Sequence, residues 1–581
     1  MEEKRWHKTR WTAGAAHEIS GFDRPLTSFL DDAASRWPNQ TYTIFQDGRR
    51  TFAQVKDAAD RIANFLASRG IKKGDRVAIF LPNLPHYPPI FFGILKAGGA
   101  CVTCNPMYKT AELNLQLKDS GAKAVFVMDH PQFYPTAVEA AKGTAVETIV
   151  VCNVKSYLPL LKGFLGGLLG KIPQAARHDP GHFFFDDVLA RSAPTPPAVA
   201  IKPSEDLAVV IYTGGTTGVP KGAALCHANF VFDVMAVHEW VRYPHEQGKP
   251  AEQIRTGGFH TFLGVLPWYH SFGMTLCMLW SAMTGSALVC VPDPRAGTPP
   301  FTAVLEAVQK YRTTLVAGVP TIYVAFANHP LLKEFDLTCI KACGSGGAPL
   351  PVEVAKRFEA ATGAVLFEGY GLSETSPVVT LNPTNVAQRK FGSIGPPLSN
   401  TDVKILDVDT GTRELPPGED GEIAICGPQV MLGYWNRPEE DKNVFRTIDG
   451  RRYFLTGDIG HMDEDGFFVI TDRKKDMVLV GGFNVYPREV EEVLYEHPKV
   501  MLCAVIGIPD AKSGEAVKAF VQLKPGVEAT EAELLDYCKE HMAGYKRPHH
   551  IEFRKEMPMS ALGKVLRRQL RDEERAKTKK G

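Results

Sequence analysis

The residue types best suited to holding an anion are concentrated in Tyr212–Gly222, which reads YTGGTTGVPKG. Gly214, Gly215 and Gly218 allow backbone N–H groups to turn toward a phosphate. Thr213, Thr216 and Thr217 add hydroxyl donors, and Lys221 adds positive charge. The stretch is not a G-x-x-x-x-G-K-[ST] loop, because Pro220 stands directly before Lys221. An apolar run, Leu207–Ile211, precedes it, so a strand is expected to deliver it to a sheet edge. Other groups of glycine with polar or charged residues follow: Gly346-Gly347-Ala348-Pro349, Gly369–Glu374 (GYGLSE), Thr456-Gly457-Asp458, Asp472–Glu491 and Pro558–Arg567 (PMSALGKVLR). His270 closes an aromatic run, Pro267-Trp268-Tyr269-His270.

In this order the stretches resemble the signatures of the adenylate-forming (AMP-binding) superfamily, which includes acyl-CoA synthetases, luciferases and the adenylation domains of peptide synthetases. The likeness runs from about Leu26 to the end. Gly427–Tyr434 (GPQVMLGY) and Ala543–Pro548 (AGYKRP) make bacterial long-chain fatty acid–CoA ligases the best match. The resemblance implies an AMP-forming acid–thiol ligase. It would activate a fatty acid of medium to long chain with ATP and Mg²⁺, then pass the acyl group to coenzyme A. An aryl or alicyclic acid is the alternative substrate, and a non-catalytic acyl-binding or trafficking protein is the alternative of another class.

The roles follow residue by residue. Glu374 is expected to hold Mg²⁺, with Thr213 as a second contact. Gly346, Gly347, Ala348 and Pro349 lie against the adenine, and Gly369, Tyr370, Gly371 and Ser373 belong to the same wall, with Tyr370 stacking on the base. Ser373 stands where the superfamily usually has threonine. Asp458 and Arg473 are expected on the ribose. Lys564 bridges the substrate carboxylate and the α-phosphate, where a charge felt mainly in the transition state accelerates the step. Lys475 stands at the pivot, and Gly481 and Gly482 line the pantetheine approach. His270 orients the substrate or gates coenzyme A; a carboxylate is already ionised at neutral pH and requires no base. The stretch Arg451-Arg452-Tyr453-Phe454-Leu455 replaces a shorter step of the superfamily pattern.

These residues need a scaffold. At 581 residues the chain exceeds the roughly 250–300 at which one core stops growing. Lys plus Arg is 66 against 65 Asp plus Glu, so no basic excess points to nucleic acid. Apolar runs of strand length alternate with helical patterns, which predicts α/β architecture with doubly wound sheets. The expected division is a large domain over 1–472 containing a small β-barrel-like subdomain from about 393, and a mobile α+β domain over 473–581. The charged tail from Arg567 is expected to fray.

The eleven cysteines are scattered through apolar runs, and Cys101 and Cys104 are read as packing residues. The N-terminus lacks the apolar core of a secretory signal, and Phe272–Pro292, though almost uncharged, breaks at Thr284-Gly285 into a buried helix and strand. A cytoplasmic enzyme is therefore expected. One stretch, Tyr157–Ile172 (YLPLLKGFLGGLLGKI), puts its leucines, Phe164 and Ile172 on one helical face and its glycines on the other. Four glycines cost such a helix ~3–4 kcal/mol relative to alanine. Peripheral membrane contact, a homodimer contact and burial against the main domain are the readings this pattern allows.

Overall fold

The apolar runs become parallel strands because their side chains are covered on both faces. The computed structural model describes residues 4–9, 11–12, 14–213, 220–241, 259–473, 476–480, 483–510, 514–560 and 564–578. In one eight-stranded sheet Thr41–Phe45, Ala287–Cys290, Thr261–Gly264, Leu315–Gly318, Ala342–Ser345 and Val365–Gly371 run parallel, with antiparallel Gly48–Thr51 and Val378–Leu381 at the edges. A second eight-stranded sheet is built around Leu207–Thr213, Ala100–Thr103, Arg76–Phe80, Ala124–Met128 and Thr148–Cys152. One large hydrophobic core joins the two. Cys101 and Cys104 lie within these sheets, fully buried, and burial pushes both thiols up.

The strand direction locates the chemistry. Thr261–Gly264, Ala342–Ser345 and Val365–Gly371 point the same way, so the segments after them emerge on one edge of the sheet. Those segments carry His270, Gly346–Pro349 and Glu374. Ligand sites at the carboxyl ends of parallel strands are the rule for such sheets.

A five-stranded antiparallel sheet follows: Asp402–Leu406, Gly421–Cys426, Arg451–Met462, Phe445–Ile448 and Phe468–Arg473. The last sheet pairs Val500–Asp510, Gly514–Leu523, Val478–Val480, Phe483–Val485 and His550–Phe553, with helices Pro487–Glu496 and Glu531–His541 beside it. This unit has its own apolar core.

Two segments depart from the sequence reading. Gly433–Tyr434 does not join the antiparallel sheet but pairs with Ala223 and Ala224 at the edge of the second large sheet. The tail is an ordered helix, Arg567–Thr578, not a frayed end. One apolar residue anchors it: Leu570 is fully buried among Ala504, Ile506, Phe520 and Met557, while Lys577 and Glu573 pair with Glu552 and Arg554. Composition conceals an anchor that consists of one leucine in twelve residues.

The stretch Phe272–Pro292 contains a helix widened to a π-turn over Met274–Leu279 and then the strand Ala287–Cys290. No helix among the described residues is long and apolar enough to cross a membrane. The helix Leu160–Leu168 turns its apolar side outward: Leu160 is 94%, Phe164 65% and Leu168 73% exposed, and only Gly163 is buried. The helix itself is therefore not buried against the main domain, although Tyr157, Leu158 and Ile172 at its ends pack on the main core.

Because Leu570 is the buried apolar side chain of the final helix, Leu570→Ala should destabilise the terminal unit by about 2–5 kcal/mol. Amide hydrogen exchange should show the loss across Arg567–Thr578 and the strand Val500–Asp510, with the two large sheets unchanged.

Candidate active site

The glycine-rich stretch joins two antiparallel strands, Leu207–Thr213 and Lys221–Cys226, whose last pair is Thr213 opposite Lys221. It is therefore a hairpin connection and not a strand-to-helix loop. Gly214, Gly215, Thr216, Thr217 and Gly218 lie outside the described residues, as do Lys475, Gly481, Gly482 and the Arg473 side chain. At the base of the hairpin Lys221 Nζ is 2.6 Å from Glu440 and lies over the Tyr434 ring.

Glu374 sits in a single 3-10 turn, Ser373–Thr375, after the strand Val365–Gly371. Gly371 makes the turn possible, since a Cβ there would fall 1.6 Å from the Pro377 carbonyl oxygen. The Glu374 carbonyl accepts from Met431 N–H at 2.8 Å, which fixes the turn against the Gly427–Tyr434 segment. Its Oε1 accepts from the Tyr434 hydroxyl at 2.9 Å and from Thr213 Oγ1 at 3.3 Å. The carboxylate and the burial around it push the Tyr434 phenol far up, so the tyrosine stays a neutral donor. One carboxylate among hydroxyls suits Mg²⁺, which takes few protein ligands and keeps waters and substrate phosphates.

The nucleotide-side residues also converge. Tyr370 donates its hydroxyl to Asp458 Oδ2 at 2.6 Å. Asp458 is buried on the strand Arg451–Met462, directly across from Arg473. The inserted Arg451–Leu455 therefore lengthens that strand without moving Asp458 from its pairing. Gly346 lies against Phe272, where an added Cβ would meet the ring at 3.2 Å. Ser373 and Ser271 hydroxyls are 3.4 Å apart, linking the His270 segment to the Glu374 turn.

His270 is half-buried at the start of the helical segment, and its Nδ1 accepts from Phe272 N–H at 3.2 Å. Its surroundings and, secondarily, the Lys564 charge hold the imidazole down to about 3. It is therefore neutral, with its proton on Nε2, a hydrogen-bond donor suited to an anion. Lys564 comes from the other unit. It ends a tight hairpin in which Ser560 N–H donates to Lys564 O at 2.7 Å and Lys564 N–H to Ser560 Oγ at 3.0 Å. Its Nζ stands 4.0 Å from the Cβ position of Gly347. Lys564 and Gly347 thus meet in space, with His270 within reach of the lysine charge.

The profile of the AMP-binding enzyme family covers residues 30–435, and that of the AMP-binding enzyme C-terminal domain covers residues 489–564. This chain belongs to the AMP-binding enzyme family. A long-chain-fatty-acid–CoA ligase of Bacillus subtilis (strain 168) is 41% identical over 563 residues, 96% of each chain. One of Yersinia pestis is 39% identical over 98% of each. Among solved structures, an anthranilate CoA ligase in complex with anthranoyl-AMP superposes with a TM-score of 0.83 at 27% identity, covering 96% of this chain and 99% of that one. As an AMP-binding enzyme the chain is an acid–thiol ligase that uses ATP, Mg²⁺ and coenzyme A.

Two contacts escaped the sequence reading. Tyr434 lay in a stretch used only for resemblance, and nothing in its spacing connects it to Glu374. Glu368, just before Gly369, is buried and accepts from Leu350 N–H at 3.0 Å. Burial raises its carboxyl to about 7, against a smaller opposing pull from Arg488 of the terminal unit. The folded state thus keeps a proton that the unfolded chain sheds near the usual carboxylate value. Stability contributed at Glu368 is therefore present at low pH and falls as pH rises from about 4.5 toward 7. Glu368→Gln should remove this slope, so urea unfolding should show the variant gaining on the wild type across that window and holding a constant margin above it.

Proposed function

We propose that this enzyme activates long-chain fatty acids, and that Lys564, Glu374, Asp458 and His270 do the work. The substrate assignment rests on the relatives named above, which carry long-chain-fatty-acid–CoA ligase as their name over nearly their full length. The assignment of roles rests on the approach of Lys564 to Gly347 and His270. In the first half-reaction a carboxylate oxygen of the acid bonds to the α-phosphorus of ATP, and the bond to the bridging oxygen breaks as pyrophosphate leaves. Two anions must meet, so Lys564 Nζ spans carboxylate and α-phosphate, and His270 donates from Nε2 to orient the acid. Glu374, steadied by Tyr434 and Thr213, would hold Mg²⁺, which would supply charge neutralisation on the phosphates. Asp458, aimed by Tyr370, accepts from the ribose hydroxyls, and Arg473 contacts the same sugar. The glycine-rich hairpin from Thr213 to Lys221 wraps the phosphates.

In the second half-reaction the sulfur of coenzyme A attacks the acyl carbonyl and AMP leaves. Lys564 occupies the path, so the unit over 473–581 swings about Lys475 relative to 1–472, and Gly481 and Gly482 then face the pantetheine. Lys564→Ala should lower adenylate formation by ~10²–10³-fold while thioester formation from supplied acyl-adenylate is largely kept. The measurement is AMP and thioester release with acids from acetate through benzoate to oleate. A maximum at the long acids upholds the reading, activity confined to aromatic acids replaces the substrate, and an equal loss in both half-reactions overturns the role of Lys564.

The apolar ridge Leu160–Leu169 is assigned to a lipid surface. No acidic residue occurs from Val154 to His178, whereas Lys155, Lys162, Lys171 and Arg177 do. Exposed leucines bordered by cations fit an anionic bilayer, which also dissolves the substrate. Each large side chain inserted is worth about 1.5–3 kcal/mol. The wild type should sediment with phosphatidylglycerol vesicles, and the variant Leu161→Glu/Phe164→Glu/Leu168→Glu should not, with unchanged turnover of decanoate. Loss of a concentration-dependent dimer in that variant, with no vesicle binding in either protein, would assign the ridge to a homodimer instead.

A further inference from the structure

Lys564 reaches the site from a turn whose ends, Ser560 and Lys564, are bonded to each other, and what orients that turn against the rest of the protein lies beyond it. Three residues on, Arg567 begins the final helix and enters a cluster of acids. It clamps Glu491 with two bonds, Nη2 at 2.6 Å and Nε at 3.1 Å. Its Nη1 lies 3.4 Å from Asp472 Oδ1 and 3.5 Å from Asp476 Oδ2. Arg571, one turn on, holds Asp476 Oδ1 at 2.8 Å. The carboxylates of Asp472, Asp476 and Glu491 are all largely buried.

The members differ in origin. Glu491, Asp476, Arg567 and Arg571 follow the proposed boundary, whereas Asp472 is on the last strand of the antiparallel sheet, Phe468–Arg473. Asp472 also serves a second partner across the boundary. Its Oδ2 accepts from Arg488 N–H at 3.1 Å in the first turn of the helix Pro487–Glu496. A carboxylate there meets the positive end of the helix dipole. Arg488 in turn donates from Nη1 to Ile470 O at 2.7 Å. Asp472 is thus held by Arg567 and by the helix start together, in the orientation in which Lys564 meets Gly347.

We propose that Arg567 is a positioning residue for Lys564: through Asp472 it clasps the terminal unit to the antiparallel sheet in the adenylating orientation. The clasp rests on the reading of Lys564 given above. It contacts no substrate atom. It acts by setting where the lysine hairpin stands, and swinging the unit away must release the Asp472 arm. Breaking the clasp therefore penalises adenylation, which needs this orientation, and spares thioester formation, which needs the other. Replacing the planar guanidinium by an ammonium keeps the charge but loses the two-bond grip.

The test measures two half-reactions on the intact enzyme, ATP–pyrophosphate exchange with palmitate and thioester formation from supplied palmitoyl-adenylate and coenzyme A. Arg567→Gln should lower exchange by ~10²-fold, the cost of misplacing a catalytic group by about an ångström, with KM for ATP little changed and thioester formation near the wild-type rate. Arg567→Lys, which folds more safely, should recover part of the exchange rate. Asp472→Asn should show the same division between the half-reactions. Equal loss in both half-reactions would mean that Arg567 only supports the fold, and no loss in either would mean that the hairpin stands unaided; both results overturn the proposal. Lys564→Ala is the control. If it fails to divide the half-reactions, the reading of the lysine is wrong; if it divides them and Arg567→Gln does not, only the clasp is wrong.

Discussion

A cation carried by one folding unit must reach an anion site built by another. Joining a carboxylate to a phosphate brings like charges together, and in a site partly shielded from water that repulsion is felt strongly. In the proposed mechanism Lys564 meets it, and its ammonium stands beside Gly347, carried there by the terminal unit. A glycine on the receiving side matters, because Gly347 has a φ of +82°, which side-chain-bearing residues rarely adopt, and the lysine chain already stands in contact distance of its Cβ position. Placing the charge on a separate unit also makes it removable, which a two-step reaction with a second, bulky substrate requires.

Two of the remaining carboxylates are oriented by phenols. Asp458 and Glu374 each take a hydrogen bond from a tyrosine, Tyr370 and Tyr434. A neutral phenol fixes the direction of a carboxylate without adding charge of its own. Each tyrosine also crosses between sheets. Tyr370 ties the end of a parallel strand to the antiparallel sheet, and Tyr434 ties the edge of the second large sheet to the Glu374 turn. The large-unit side of the site is therefore cross-linked by side-chain bonds, and Lys564 is brought to it by the other unit. The outward leucines of Leu160–Leu168 lie on the large-unit side as well.

Much of this was legible in order along the chain. The glycine patterns, the Gly-Lys pair near the end and the alternation of apolar runs with helices depend on local residue types, and local types are what a sequence displays. Asp458, Glu374 and Lys564 could be named from them, as could the strands, because burial on both faces leaves an unbroken apolar run. What lay beyond reach were contacts between residues far apart: Tyr434 with Glu374, Tyr370 with Asp458, Arg567 with Asp472. The final helix was misread for a related reason. Its charges look like a solvated tail until Leu570 is seen against Phe520 and the ions against Glu552 and Arg554.

The sequence by itself determined the family, the reaction type and the residues that bear charge, since each follows from side-chain chemistry held in short segments. Only the tertiary structure decided which carboxylate meets which phenol, that the apolar face of Leu160–Leu168 points outward, and that Lys564 stands in the site in this orientation. The physical reason is that local chemistry is carried by neighbours in the chain, whereas these contacts arise when parallel strands bring their ends to one edge and a second unit closes over it.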